Sequence, residues 1–253
     1  MEGAFKSSSE LNQNIKMKNL LKLLFGISLL LGLSSCEKLT NCVNGSGEVV
    51  TEYYSVSYFD EAAFFGSANV ELVKGDNQNV IITGQQNVLD VLRVEVKSGE
   101  LQIGKNNCFR GNKRLRIIVE TPHLESIRMS GSGNVVCRDA FSTDHFRIDL
   151  SGSCNANLAI NTNFLRVESS GSAELQLGGW AHNQDYRISG SGEVSAFNLL
   201  GHSADVDISG SGICQLNVSD HLNVKISGSG TVYYKSSPRI STDISGSGKL
   251  LRR

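Results

Sequence analysis

Asp149 and Glu168 are the residues best placed by type and spacing to do chemistry. Each stands two residues before a Ser-Gly-Ser tripeptide, at Ser151 and Ser170. If successive tripeptides stack, the two carboxylates become neighbours, close to the separation of about 5–5.5 Å used by retaining glycosidases. The same position in the other repeats reads Arg128, Arg187, Asp207, Lys225 and Asp243. A column that mixes signs this way suits a solvated face of cross-coil ion pairs, each contributing about 0–1 kcal/mol, and that reading comes before catalysis. His182 and His202 each stand seven residues before the next motif, and His145 and His221 stand six before theirs. Stacked imidazoles suit a transition metal. No carboxylate or cysteine recurs beside them in sequence, so a solvated corner is the simpler reading. No catalytic residue, metal ligand or cofactor is assigned.

The motif itself carries little chemistry. SGSG begins at Ser130, Ser189, Ser209, Ser227 and Ser245, with SGSC at Ser151 and SGSA at Ser170. None of these serines has a His or Lys at a repeating offset to activate it as a nucleophile. A spacing of about 20 residues is the period of a solenoid. Counting the first Ser as zero, positions −5, −3, −1, +5 and +7 are largely apolar, as in Ile148, Leu150, Val194, Leu216 and Ile226, whereas position −2 is charged throughout. Alternate residues of a strand point to opposite faces, so odd positions face in and even positions out. By that parity both glycines, at +1 and +3, face inward and the serines form outward ladders. Cys154 and Ala173 replace Gly at +3, so small size governs that position, while +1 is always Gly and open to positive φ. Right-handed parallel connections are strongly preferred. The predicted fold is all-β, a right-handed parallel β-helix.

The boundaries follow. Residues 126–253 are regular coils. Residues 48–125 are irregular coils of the same domain, in which Phe65–Leu72 is a worn copy of the motif, and Val80–Thr83, Val88–Val96, Leu101–Ile103 and Leu115–Glu120 read as strands. Cys137, Cys154 and Cys214 fall on odd positions and read as buried free thiols. Cys137 and Cys154 are offset by about 13 Å along the strand, too far for a disulfide. Cys108 could pair with Cys42, though nothing in the sequence shows it. Tyr233, Trp180 and Phe109 are candidate exposed aromatics without a repeating stripe.

Residues 1–35 are an extension and an address. Lys18 and Lys22 flank the start of the apolar run Leu20–Leu33, the length of a signal h-region, while 1–16 fit no signal pattern and Met17 is a natural start. Leu33-Ser34-Ser35-Cys36 resembles a bacterial lipobox. That resemblance implies cleavage before Cys36, lipidation of it, a tether over 36–47 and firm membrane anchoring through several chains. Glu37 is not the retention aspartate of some enteric lipoproteins, so the expected address is the outer membrane. The formal charge of −1 over 253 residues gives no basic field for nucleic acid.

Apolar residue, SGSG, then x-Val, on a period near 20, resembles a bacterial family described as putative auto-transporter adhesin, head GIN domain, over about Val56–Leu250. The resemblance implies a β-helix in the cell envelope and offers no catalytic residues to carry over. No translocator is expected, so the chain is not an autotransporter in its own right. The functional expectation is a lipid-anchored, non-catalytic binding, adhesion or structural module. Its expected partners are the membrane through Cys36 and a glycan or cell-surface protein. The alternatives are a polysaccharide hydrolase or lyase on the same scaffold and a ligand-free envelope protein. Fold alone does not decide among them.

Overall fold

The computed structural model describes residues 43–104, 109–110 and 115–253; Cys36, Cys42 and Cys108 lie outside them. Residues 43–253 form one compact unit. It opens with β1 (Val43–Asn44), β2 (Val49–Ser55), β3 (Glu61–Gly66), β4 (Asn69–Lys74) and β5 (Asn79–Gln85). A single helical turn, α1 (Gln86–Leu89), leads to β6 (Arg93–Lys97), β7 (Glu100–Gly104), β8 (Phe109–Arg110) and β9 (Arg116–Thr121). The repeats supply β10 (Ser126–Gly131), β11 (Asn134–Cys137), β12 (Phe141–Gly152), β13 (Asn155–Gly171), β14 (Glu174–Gly190), β15 (Glu193–Gly210) and β16 (Ile213–Gly228). The last coil follows β17 (Thr231–Lys235) and consists of β18 (Arg239–Gly246) and β19 (Lys249–Arg252).

From β10 onward every pairing is parallel, and the chain makes a β-solenoid of about 7 turns with bridges about 19 residues apart. Register is kept through the motif: Ser151 lies on Ser170, Ser170 on Ser189, Ser189 on Ser209. The predicted inward columns are buried up to the last coil, where Ile240, Thr242 and Ile244 are exposed. Ile148, Leu150, Val167, Leu175, Ile188, Val194, Ile208, Leu216 and Ile226 all belong to one continuous core. One coil places a polar pair there: the Tyr186 hydroxyl donates to Gln184 Oε1 (2.9 Å), and Gln184 Nε2 donates to the Ala181 carbonyl (3.1 Å). The buried amide is thereby satisfied. Cys137, Cys154 and Cys214 are buried free thiols.

The motif glycines differ from the parity reading. Position +3 is buried, but the +1 glycines are half-buried or exposed. Their φ runs from 101° to 126° between Gly131 and Gly246. Parity counting assumes extended backbone, and one left-handed residue rotates the side-chain direction out of the alternation. A Cβ at +1 would point along the stack and meet the +1 carbonyl oxygen of the preceding coil at 2.3–2.6 Å. That carbonyl accepts from the backbone N–H of the second serine in the next coil, as in Ser172 to Gly152 and Ser191 to Gly171, both 2.8 Å.

Position +3 is restricted by size, as predicted, and the cause is specific. A Cβ on Gly212, Gly230 or Gly248 would come within 2.6 Å of Cγ2 of Ile188, Ile208 or Ile226, the −1 residue of the coil before. Where Cys154 and Ala173 replace the glycine, the corresponding residues are Met129 and Leu150, which are unbranched at Cβ.

The first part of the domain is less solenoid-like than expected. Phe65–Leu72 is a true coil, with Phe65 on Ser130, Gly66 on Gly131 and Leu72 on Cys137. β7 and β9 stack parallel on its other side, so spatial order departs from chain order. β5 runs antiparallel to both β2 and β9, and β6 antiparallel to β7. A two-residue turn at Ser98 (φ 51°) and Gly99 (φ 85°) joins β6 to β7, the geometry favoured for tight hairpins. Within the expected strand Val88–Val96, Val88 and Leu89 instead bury themselves in α1, because a short apolar run reads alike as helix or strand.

Candidate functional site

Each coil presents two outer faces, one before the motif and one after it. The face before the motif carries the −2 and −4 columns, and its charges largely satisfy one another. Asp149 stacks directly on Glu168. Arg147 bridges them, with Nε donating to Asp149 Oδ2 (2.9 Å) and Nη2 to Glu168 Oε2 (3.2 Å). Arg166 Nε donates to Glu168 Oε1 (2.8 Å), and Arg128 pairs with Glu100 (2.7 Å) and more loosely with Asp149 (3.7 Å). Arg187 faces Asp185 at 3.4 Å. The hydrogen bond from Arg166, reinforced by the charges of Arg147, Arg166 and Arg187, holds the Glu168 carboxyl below its usual range. A glycosidase acid needs the opposite shift. A shallow groove of about 470 Å³ runs along this column, lined by Asp149, Glu168, Arg187 and the outward serines Ser151, Ser170 and Ser189.

The face after the motif mixes amides and charges: its +4 column runs through three asparagines and then Glu174 and Glu193. Asn69, Asn134 and Asn155 stack in register at +4. Asn134 Nδ2 donates to Asn69 Oδ1 (2.8 Å), and Asn155 Nδ2 donates to Asn134 Oδ1 (3.0 Å). An amide has two N–H donors and two acceptor lone pairs, so this ladder leaves capacity directed at solvent. The ladder lines a groove of about 690 Å³ together with Asn157, Gln176 and the charged Glu71, Arg116, Arg138 and Glu174. The +4 column of Asn69, Asn134 and Asn155 can be read directly from the sequence, but polar columns carry no burial signal and went unassigned.

At the third corner, the histidines gather as their spacing predicted. His182 and His202 stack with ring centroids 4.8 Å apart and planes 5° from parallel. A carboxylate does stand beside them, contrary to the sequence reading. Asp220 Oδ2 lies 3.2 Å from His202 Nε2 and 2.7 Å from His221 Nδ1, and Arg239 donates to Oδ1 at 2.8 Å. Partial burial raises the Asp220 pKa, but the hydrogen bond and charge of Arg239 outweigh it and keep the carboxyl below its usual range. His145 stacks instead on Phe164, which is 48% exposed. Trp180, 45% exposed, lies in β14 in register with exposed Leu200. The Arg253 guanidinium covers the Tyr233 ring at 4.5 Å. The side chain of Phe109 is outside what the structure describes.

Comparison with known proteins adds family and fold. The model of the family described as putative auto-transporter adhesin, head GIN domain, matches residues 58–238. A crystal structure described as a putative adhesin from Bacteroides fragilis superposes with TM-score 0.79 at 24% identity, covering 83% of this chain and 100% of that one. One described as a putative lipid binding protein from Parabacteroides distasonis gives 0.71 at 26% identity over 84% and 100%. A further putative adhesin from that organism gives 0.66 at 22% identity, again over 84% and 100%. Identities under 25% speak to the fold alone. No curated protein matches the chain.

Proposed function

The chain belongs to the putative auto-transporter adhesin, head GIN domain family, and from that membership we propose that it is a non-catalytic binding module of the cell envelope. The observation that carries this reading is the contrast between its two outer faces. The charged face spends its carboxylates on Arg147 and Arg166, and the lowered Glu168 pKa runs against a proton donor. The amide face keeps donors and acceptors free on a rigid sheet. Amides in a row, flanked by Glu174 and Arg138, suit a hydroxyl-rich ligand, so the proposed ligand is a glycan lying across Asn134, Asn155 and Asn157. Lipid on Cys36 tethers the module to the outer membrane, an address supported by the Leu33–Cys36 pattern.

A glycan array probed with the wild type and with Asn134→Ala and Asn155→Ala tests the binding reading. Each loss of about 0.5–1.5 kcal/mol per hydrogen bond predicts binding roughly 2- to 10-fold weaker. Release of reducing ends from any bound polysaccharide, abolished by Glu168→Gln, would make the protein a hydrolase instead. Incorporation of an alkyne palmitate into the wild type but not into Cys36→Ser tests the tether; equal labelling of both would remove it.

A further inference from the structure

Arg138 is set apart from the other arginines of the coils. It follows β11 on the amide face and is exposed. Arg116, Arg128, Arg147, Arg166, Arg187 and Arg239 each face a carboxylate. Arg252 reaches the Ser237 hydroxyl, and Arg253 covers the Tyr233 ring. Among the described residues, Arg138 has no carboxylate in ion-pair reach, no hydrogen-bond partner for its guanidinium and no ring against it. It nevertheless lines two grooves at once. One runs along the amide ladder, the other adjoins it with about 700 Å³, and Val136, Asn157 and Gln176 also belong to both. Arg116, close by, donates to Glu71, and that hydrogen bond, with the charges of Arg116 and Arg138, holds the Glu71 carboxyl below its usual range. Two guanidiniums against one carboxylate leave this end of the groove one cation in excess, since Asp139 lines neither groove.

The other end of the same groove accepts hydrogen bonds. Asn155 gives its Nδ2 to Asn134, so its Oδ1 accepts nothing among the described residues. Glu174 follows it in register, with Glu193 beyond. Between the ends, Val136 is 36% exposed and offers an apolar seat for the C–H face of a sugar ring. Asn134 and Arg138, four residues apart along the chain, stand about 13 Å apart if extended. These features select among ligands. A neutral glycan leaves Arg138 unmatched. A polyanion charged on every unit meets Glu174 and Glu193. A simple carboxylate gives the amides nothing to bind. A sugar chain with hydroxyls for Asn155 and Glu174 and a carboxylate for Arg138 satisfies both ends, because a planar guanidinium matches a carboxylate through two parallel hydrogen bonds. We propose, resting on the glycan reading of the ladder, that the ligand is an acidic glycan in which uronic acids are spaced by neutral sugars, and that Arg138 recognises the uronate carboxylate.

The probes are fragments of hyaluronan, rhamnogalacturonan and glucuronoxylan, each beside its methyl ester, which keeps the hydroxyls and removes the charge. Heparin serves as the polyanion. The wild type binds at least one acid saturably and roughly tenfold more tightly than its ester, the worth of a hydrogen bond to a charged group, and added salt weakens binding of the acid alone. Arg138→Gln brings the acid down to the level of its ester. The far-ultraviolet circular dichroism spectrum and thermal transition of that variant stay as in the wild type, because the side chain holds nothing in the fold. Arg187→Gln, on the charged face, leaves binding unchanged. Equal binding of acid and ester by the wild type overturns the proposal and leaves a neutral glycan on the ladder. Acid binding that Arg138→Gln does not weaken, or heparin bound more tightly than every uronate fragment, overturns it as well. Binding of no acid, no ester and no neutral glycan overturns both the proposal and the glycan reading beneath it.

Discussion

The two glycines of each motif are needed for different reasons, and substitution separates them. Gly210 has φ 125°, and a Cβ there would lie 2.6 Å from the Gly190 carbonyl oxygen. Backbone cannot yield as a side-chain tip can. Gly210→Ala therefore combines left-handed strain, about 1–2 kcal/mol, with a clash that shifts a coil. Gly212→Ala meets chiefly Cγ2 of Ile188 at 2.6 Å, with the Gly192 carbonyl oxygen next at 3.2 Å, and overpacking of this kind costs about 1–3 kcal/mol. Paired with Ile188→Leu, which removes the branch, the same alanine should be largely tolerated, since Leu150 already sits beneath Ala173. Denaturant midpoints for the two single variants and the pair measure this. A pair no more stable than Gly212→Ala would contradict it. The thiols are a second residue-scale case. Burial pushes Cys137 up to about 11 and raises Cys154 and Cys214 as well. Since the thiolate is the nucleophile, all three should resist iodoacetamide at neutral pH until the protein is unfolded, as counted by mass spectrometry.

Among the strands, the arginine ladder links stability to acid. The Glu168 pKa is depressed in the folded state, chiefly by its hydrogen bond to Arg166. Its contribution is therefore present above the ordinary carboxylate value and is lost as pH falls through the lower folded value. Arg166→Ala should raise the Glu168 pKa toward the ordinary range, read by NMR titration, and should blunt the loss of stability below about pH 4, near the unperturbed carboxylate value. Much of this face was legible in the sequence, because the −2 column is charged throughout and mixes signs at a constant offset from the motif. The amide ladder was written at +4 just as plainly, but a polar column has no hydrophobic contrast to mark it. Coil length was also a poor guide, since intervals of 18 to 21 residues hide where the slack lies. Between β14 and β15 register slips after Gln176, and between β15 and β16 after Ala196, so the corners absorb the extra residues while the strands beside the motif stay in step. Strands at β5 and β6 were legible, but their antiparallel direction was not, because alternation fixes a strand's faces but not the direction of its neighbour.

At the scale of the whole domain, stability should be close to a sum over coils and their junctions, because each coil leans only on its neighbours. Both outer faces exist only if stacking holds every coil in phase. Removing one coil is the most direct measurement. Deletion of Ser189–Ile208 joins Ile188 to Ser209 and preserves phase. Deletion of Ser189–Asp207, one residue shorter, joins Ile188 to Ile208 and turns Tyr186 and Ile188 to the wrong face. The in-phase variant should keep its β circular dichroism and a cooperative thermal transition at somewhat reduced temperature, while the other should lose cooperative unfolding. Equal stability of the two deletions, or collapse of the in-phase one alone, would contradict a solenoid held in register by its motif.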